Sequence, residues 1–188
     1  MVLAINRGSS SIKFAVYPDS LDQPVVSGKL ERIGTPEGVF QSWDGARVSL
    51  VDRRLALPDH EIALQTLLDW LRSRNFNLRV AGHRVAHGGT RHRTPRLVTP
   101  ERVAELKGLI PLAPEHLPPE IAAIEAITRL HPGLPQVACF DTAFHRTMPA
   151  RPSSTGCRAR WPTKAFCVMD SWLSMNTSRA RRQPRGYS

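Results

Sequence analysis

The opening seventeen residues constrain the fold more than any other stretch of this chain. Val2 to Ile5 is a short apolar run, and Ile12, Phe14 and Val16 alternate with Lys13 and Ala15 at the two-residue period of a strand. Between them stands the polar turn Asn6-Arg7-Gly8-Ser9-Ser10-Ser11. The expected result is a strand, a tight turn and a second strand. The turn also carries chemistry. Gly8 lets backbone approach an anion, Ser9, Ser10 and Ser11 can donate to phosphate oxygens beside Lys13, and Asn6 offers an amide oxygen to Mg²⁺ or its waters. The glycine spacing is neither that of a Walker loop nor that of a dinucleotide fingerprint, and no helix follows. A serine-rich hairpin turn without a ligand is the competing reading.

Downstream, the pattern stays strand-like to about residue 51. Pro24 to Ile33, Gly38 to Trp43 and Ala46 to Val51 are candidate strands separated by Gly, Pro and Asp turns. From about His60 to Arg74 the period becomes helical, with Leu64, Leu67, Leu68 and Leu71 at i, i+3, i+4 and i+7. Leu78 to Ala81 is a buried-strand candidate running into Gly82-His-Arg-Val-Ala-His-Gly-Gly89. Thr99-Pro100 caps and opens a helix through Leu106. Pro118-Pro119 opens another, with Ile121, Ile124, Ile127 and Leu130 on its core face, ended by His131-Pro132-Gly133. Gln136 to Phe140 is a short apolar strand that delivers Asp141 at its C-terminal end. A meander followed by alternating helix and strand is an α/β architecture, with ligand groups at the carboxyl ends of strands.

The chain has 188 residues and a formal net charge of +10, which raises nucleic-acid binding as a function class. The distribution argues against it: residues 151–188 hold seven arginines and Lys164 against Asp170 alone, so +7 belongs to the tail. Trp161 and Trp172 could stack on bases, yet the tail has no recognisable RNA-binding module. Three cysteines without metal-ligand spacing suit a reducing cytoplasm. No apolar stretch approaches the roughly 20 residues that cross a bilayer, and no secretory signal pattern opens the chain.

Two further segments carry candidate chemistry. His83-Arg84 and His87-Gly88-Gly89 are expected just beyond a strand end, where the Arg84 fork can clamp a carboxylate or phosphoryl group. His83 and His87 stand at i, i+4, but a Gly-Gly loop is a poor helix and no third metal ligand is evident. Asp141, where an apolar strand empties into a loop, can hold Mg²⁺, orient an arginine, accept a proton, or simply cap a helix.

Taken together, Asn6-Arg-Gly-Ser-Ser-Ser-Ile-Lys13, Gly82-His-Arg-Val-Ala-His-Gly-Gly89 and Phe140-Asp-Thr-Ala-Phe-His-Arg-Thr-Met-Pro149 resemble the acetate kinase family in order and spacing. The resemblance covers residues 1–150. It implies an actin-like ATPase (ribonuclease H-like) α/β domain, a mixed sheet with flanking helices, with most of the second domain missing. It also implies reversible transfer of the ATP γ-phosphoryl group to acetate with Mg²⁺, by a cytoplasmic homodimer. By the same resemblance, Asn6 matches the magnesium-associated asparagine, and Ser9, Ser10, Ser11 and Lys13 match the phosphate-facing turn. Arg84 matches the arginine that fixes the acetate carboxylate and the phosphoryl in flight, and Asp141 the catalytic aspartate, variously metal partner or acid/base. Ala86 stands where a valine lines the acetate methyl pocket, which suggests propionate or a longer acid. Arg7 occupies a position usually small or neutral, and Glu115 and Leu117 replace a leucine and an asparagine. A sugar or glycerol kinase of the same fold is the enzyme alternative, and the segments around Arg84 and Asp141 speak against it.

After Pro149 the resemblance stops. Residues 151–188 are expected to be a basic tail, disordered or frameshifted, without helix or strand period. In the frame that borrows the last base of each codon, the junctions from Cys167 to Ser171 permit Arg, Tyr, Gly and Phe, the start of a motif the family carries here. The junction of Ser171 with Trp172 cannot supply the histidine that should follow.

Overall fold

The computed structural model describes residues 1–89, 92 and 94–141. Strand alternation builds the first half. β1 (Val2–Arg7), β2 (Ser11–Tyr17), β3 (Val26–Glu31), β4 (Thr35–Asp44) and β5 (Ser49–Leu57) form an antiparallel meander. Helix α1 (His60–Ser73) then crosses over to β6 (Val80–Val85), which lies parallel to β1. The two-residue strand β7 (Arg96–Leu97), α2 (Pro100–Gly108), a 3-10 turn at Ile110–Leu112 and α3 (Leu117–Leu130) lead to β8 (Gln136–Phe140), parallel to β6. The sheet runs β5-β4-β3-β2-β1-β6-β8-β7.

The helices form where the apolar period is 3.6, and their caps define where they start. Asp59 accepts a hydrogen bond from the Ile62 amide at α1, and Thr99 accepts one from the Arg102 amide with Pro100 as first helical residue. α1 buries Leu64, Leu67, Leu68 and Leu71 on the sheet, against Leu3, Ile5, Ile12, Phe14, Val16 and Leu30. α3 adds Ala123, Ala126 and Ile127 to the same core, while its Leu117, Ile121 and Ile124 pack with Val85, Leu106 and Phe140. On the opposite face of the sheet lies a smaller apolar group of Ala4, Ala15, Tyr17 and Cys139.

The expected strands at 24–33 and 38–43 stand as β3 and β4. The candidate strand at 46–51 is displaced: residues 46–48 belong to the turn, and β5 runs on to Leu57 through Asp52, Arg53 and Arg54. Those three charges are exposed on an edge strand, so they break the apolar alternation without breaking the ladder. β6 likewise continues to Val85, which places His83 and Arg84 within the strand rather than beyond it. Residues 142–149 of the third motif and the whole tail lie outside the described residues.

Candidate active site

Strand parity sorts the candidate residues. Leu3 and Ile5 face the helices while Ala4 faces the other way, so Asn6 points away from the helices and Arg7 toward them. Lys13 is the cross-strand partner of Asn6 and shares its face. Across β6 the last register pair with β1 is Ile5 with His83, so the next residues, Asn6 and Arg84, again share that face. In β8, Cys139 is opposite Arg84 and belongs to the same side, and Asp141, just past the strand, meets that side through its hydrogen bonds from Arg84. Lys13, Asn6, Arg84 and Asp141 therefore form one row across β2, β1, β6 and β8, at the carboxyl ends of the three parallel strands.

Arg84 and Asp141 are joined directly. Arg84 Nε donates to Asp141 Oδ1 at 3.1 Å and Nη2 donates to Oδ2 at 2.5 Å, with each side chain about one-third exposed. This is the planar fork-to-carboxylate pairing in which Arg has no substitute. It leaves the Nη1 donors unspent on Asp141.

The serine turn is held by its backbone. Gly8 N–H donates to Ser11 O at 2.7 Å, Ile33 N–H donates to Ser10 O at 3.0 Å, and His60 Nε2 lies 3.1 Å from Gly8 O. A Cβ on Gly8 would stand 2.9 Å from Ser11 Oγ, the end of a side chain that can rotate away. Ser9 and Ser10 are exposed and Ser11 is half-buried at the start of β2.

His83 is separated from this row by the same alternation. It is buried on the helix side, where Nε2 donates to Gln136 Oε1 at 2.7 Å, and Gln136 Nε2 donates to Thr128 Oγ1 at 2.8 Å. Burial pushes the imidazole down to about 4, so it is neutral near pH 7. His83 is a structural tie between β6, β8 and α3. His87 accepts a hydrogen bond from Gly89 N–H through Nδ1 at 2.9 Å. Among the described residues no cluster of three His, Cys, Asp or Glu side chains could hold a metal ion.

Three groups near the site are not singled out by sequence reasoning as site residues. Glu120, on the first turn of α3, is 5 % exposed, and one of its oxygens accepts a hydrogen bond from Ala86 N–H at 3.0 Å. Burial pushes its carboxyl up to about 7, against the Ala86 hydrogen bond and the charges of Arg84 and Arg7. Arg7 is held below the usual guanidinium range by burial, which the charge of Glu120 opposes. His60 is lowered mainly by burial and then by Arg7. One signal was available: Glu120 interrupts the apolar stripe of α3, three residues after Leu117 and four before Ile124.

The acetokinase family model matches residues 1–165, past the break at Pro149 read from the sequence. The acetate kinase of Desulfitobacterium hafniense (strain Y51) is 41% identical over 157 residues, 79% of this chain and 39% of its own length. That of Deinococcus radiodurans is 42% identical over 150 residues, 78% of this chain and 37% of its own length. Among solved structures, Porphyromonas gingivalis acetate kinase superposes with a TM-score of 0.71 at 31% identity, covering 84% of this chain and 41% of that one. A propionate kinase from Francisella tularensis gives 0.72 at 31%, covering 88% and 43%. The fold is thus the mixed sheet with flanking helices of the actin-like ATPases, as expected. The chain spans about two fifths of the length of the relatives it matches. With a family match over most of its length and the matching fold, this chain belongs to the acetokinase family.

Proposed function

We propose that this chain forms the N-terminal part of a kinase that transfers the γ-phosphoryl group of ATP to a short-chain carboxylic acid, acetate in the first instance. The products are acetyl phosphate and ADP. The observation that carries this reading is the Arg84–Asp141 fork at the ends of β6 and β8, in one row with Asn6 and Lys13.

An acetate oxygen is already nucleophilic, so the transfer needs alignment and neutralisation of charge more than bond activation. The acid oxygen forms a bond to the γ-phosphorus as the bond to the β-phosphate bridging oxygen breaks, and ADP leaves with that electron pair. Arg84, its fork oriented by Asp141, uses its remaining donors on the acid carboxylate and the phosphoryl oxygens. Ser9, Ser10, Ser11 and Lys13 hold phosphate oxygens at the turn. The Asn6 amide and the Asp141 carboxylate are hard oxygen donors on one face, which fits Mg²⁺ that arrives with ATP and keeps phosphate and water ligands. When bound, that ion offsets phosphate charge.

Ala86, half-buried after β6, leaves room beside the acid, and the likeness to a propionate kinase supports propionate as a second substrate. The discrimination at stake is small, about 1–3 kcal/mol per methylene. The assembled enzyme is proposed to be a cytoplasmic homodimer, which sedimentation checks. The chemical test is hydroxylamine trapping of acyl phosphate, with ATP, Mg²⁺ and acetate or propionate, on this chain extended by the remaining length of an acetokinase. Product from the parent, and its loss in Arg84→Ala and Asp141→Ala, is the expected result. Full turnover in either variant overturns the role given to that residue.

A further inference from the structure

Glu120 takes no part in the transfer just described, yet it stands behind the strand end that carries Arg84. It lies on the first turn of α3, 5 % exposed, beside Leu117, Ile121 and Ile124 of a stripe that packs with Val85 and Phe140. A leucine would fill that volume at no cost in desolvation, whereas a buried carboxylate has to be hydrogen-bonded. Its hydrogen bond is not spent on its own helix. Pro118 and Pro119, just ahead of it, have no amide hydrogen to offer, and the bond goes to an amide 34 residues away in the chain.

That amide belongs to Ala86, whose N–H donates to Glu120 Oε2 at 3.0 Å. The last register pairs of β6 are His83 with Ile5 of β1 and Val85 with Phe140 of β8, so Ala86 stands beyond both ladders. Glu120 thus grips the first residue that the sheet no longer holds. The same residue is the half-buried one placed beside the acid, two positions after the fork of Arg84.

We propose that Glu120 is a positioning residue for acid selection: through the Ala86 amide it fixes how far the residue-86 wall of the acid pocket stands from the Arg84 fork. It acts through backbone and needs no contact with acid or ATP. The hydrogen bond, not the charge, is the working part. The pocket rests on the kinase reading; the grip on Ala86 does not.

The test compares Glu120→Gln, which keeps an acceptor oxygen, with Glu120→Leu, which keeps the volume and loses the acceptor. In hydrogen exchange on the 188-residue chain, the Ala86 amide is expected to exchange about tenfold faster in Glu120→Leu and within about threefold of the parent in Glu120→Gln. The amide of Leu67, in the core of α1, is the control for general loosening. On the chain extended by the remaining length of an acetokinase, the KM for acetate is expected to rise about tenfold in Glu120→Leu, with kcat and the KM for ATP within about twofold. Ala86→Val is expected to shift preference from propionate toward acetate, and to lose most of that shift beside Glu120→Leu. An unmoved Ala86 amide, an equal acceleration at Leu67, a Glu120→Gln variant that behaves like Glu120→Leu, or additive effects of the Ala86 and Glu120 changes each overturn the proposal. If the extended parent forms no acyl phosphate from acetate or propionate, the kinase reading fails and acid selection with it, while exchange at Ala86 still decides the grip.

Discussion

Arg84 and His83 are neighbours in the chain and occupy different chemical worlds, because a strand sends successive side chains to opposite faces. Arg84 meets Asp141 through two hydrogen bonds; His83 meets Gln136 in the core. Arg84→Lys keeps the charge and loses the fork. It is expected to cost about 2–3 kcal/mol of transition-state stabilisation, read as kcat/KM in the trapping assay on the extended chain. His83 gives a pH signature of its own. Its folded pKa lies below its ordinary value of 6.5, near 4, so the folded state binds fewer protons than the unfolded one. The stability it contributes is complete above about pH 6.5 and is lost as pH falls toward 4, on the order of 3 kcal/mol. Urea midpoints of the parent and of His83→Gln should converge or cross over that interval; parallel curves would refute a buried neutral imidazole. Glu120 has the opposite sign, because its folded pKa is raised from 4.5 to about 7. Its contribution is complete below about pH 4.5 and is lost as pH rises through 7, so Glu120→Gln should remove an alkaline loss of stability and leave the acid limb unchanged.

Among the elements, α1 and α3 were readable because their leucines and isoleucines recur at three and four residues, which is the geometry of one helix face. Leu67→Ala removes a fully buried side chain from the face that packs on the sheet, and a loss of about 2–5 kcal/mol in chemical denaturation is expected. Thr99→Ala removes the cap of α2 and should cost about 1 kcal/mol by the same measurement. β5 extends beyond the expected strand to Leu57, since Asp52, Arg53 and Arg54 hide an edge strand from any apolar pattern. β3 conceals another constraint: a Cβ on Gly28 would lie 2.5 Å from Gln41 O and 2.6 Å from the Phe14 ring. Backbone on a paired strand cannot retreat, so Gly28→Ala is expected to destabilise despite its higher strand propensity.

Taken as a molecule, the chain spans about two fifths of the length of the relatives it matches. Phosphoryl transfer needs a site closed to water, and Arg84 and Asp141 are each about one-third exposed, so the 188 residues alone are expected to give no trapped acyl phosphate above background. Measurable product from them would show that these residues suffice. The amino-acid sequence on its own determined the strand and helix periods, the glycine turn, and the three segments that carry the acid-kinase resemblance. These are local properties, written at spacings of two, three and four residues. Only the tertiary structure decided which side chains share a face: that Lys13, Asn6, Arg84 and Asp141 line up, that His83 turns inward, and that Glu120 reaches Ala86 from another helix. Such meetings depend on strand register and on where each crossover returns, and distances of 34 or 57 residues along the chain carry no trace of them.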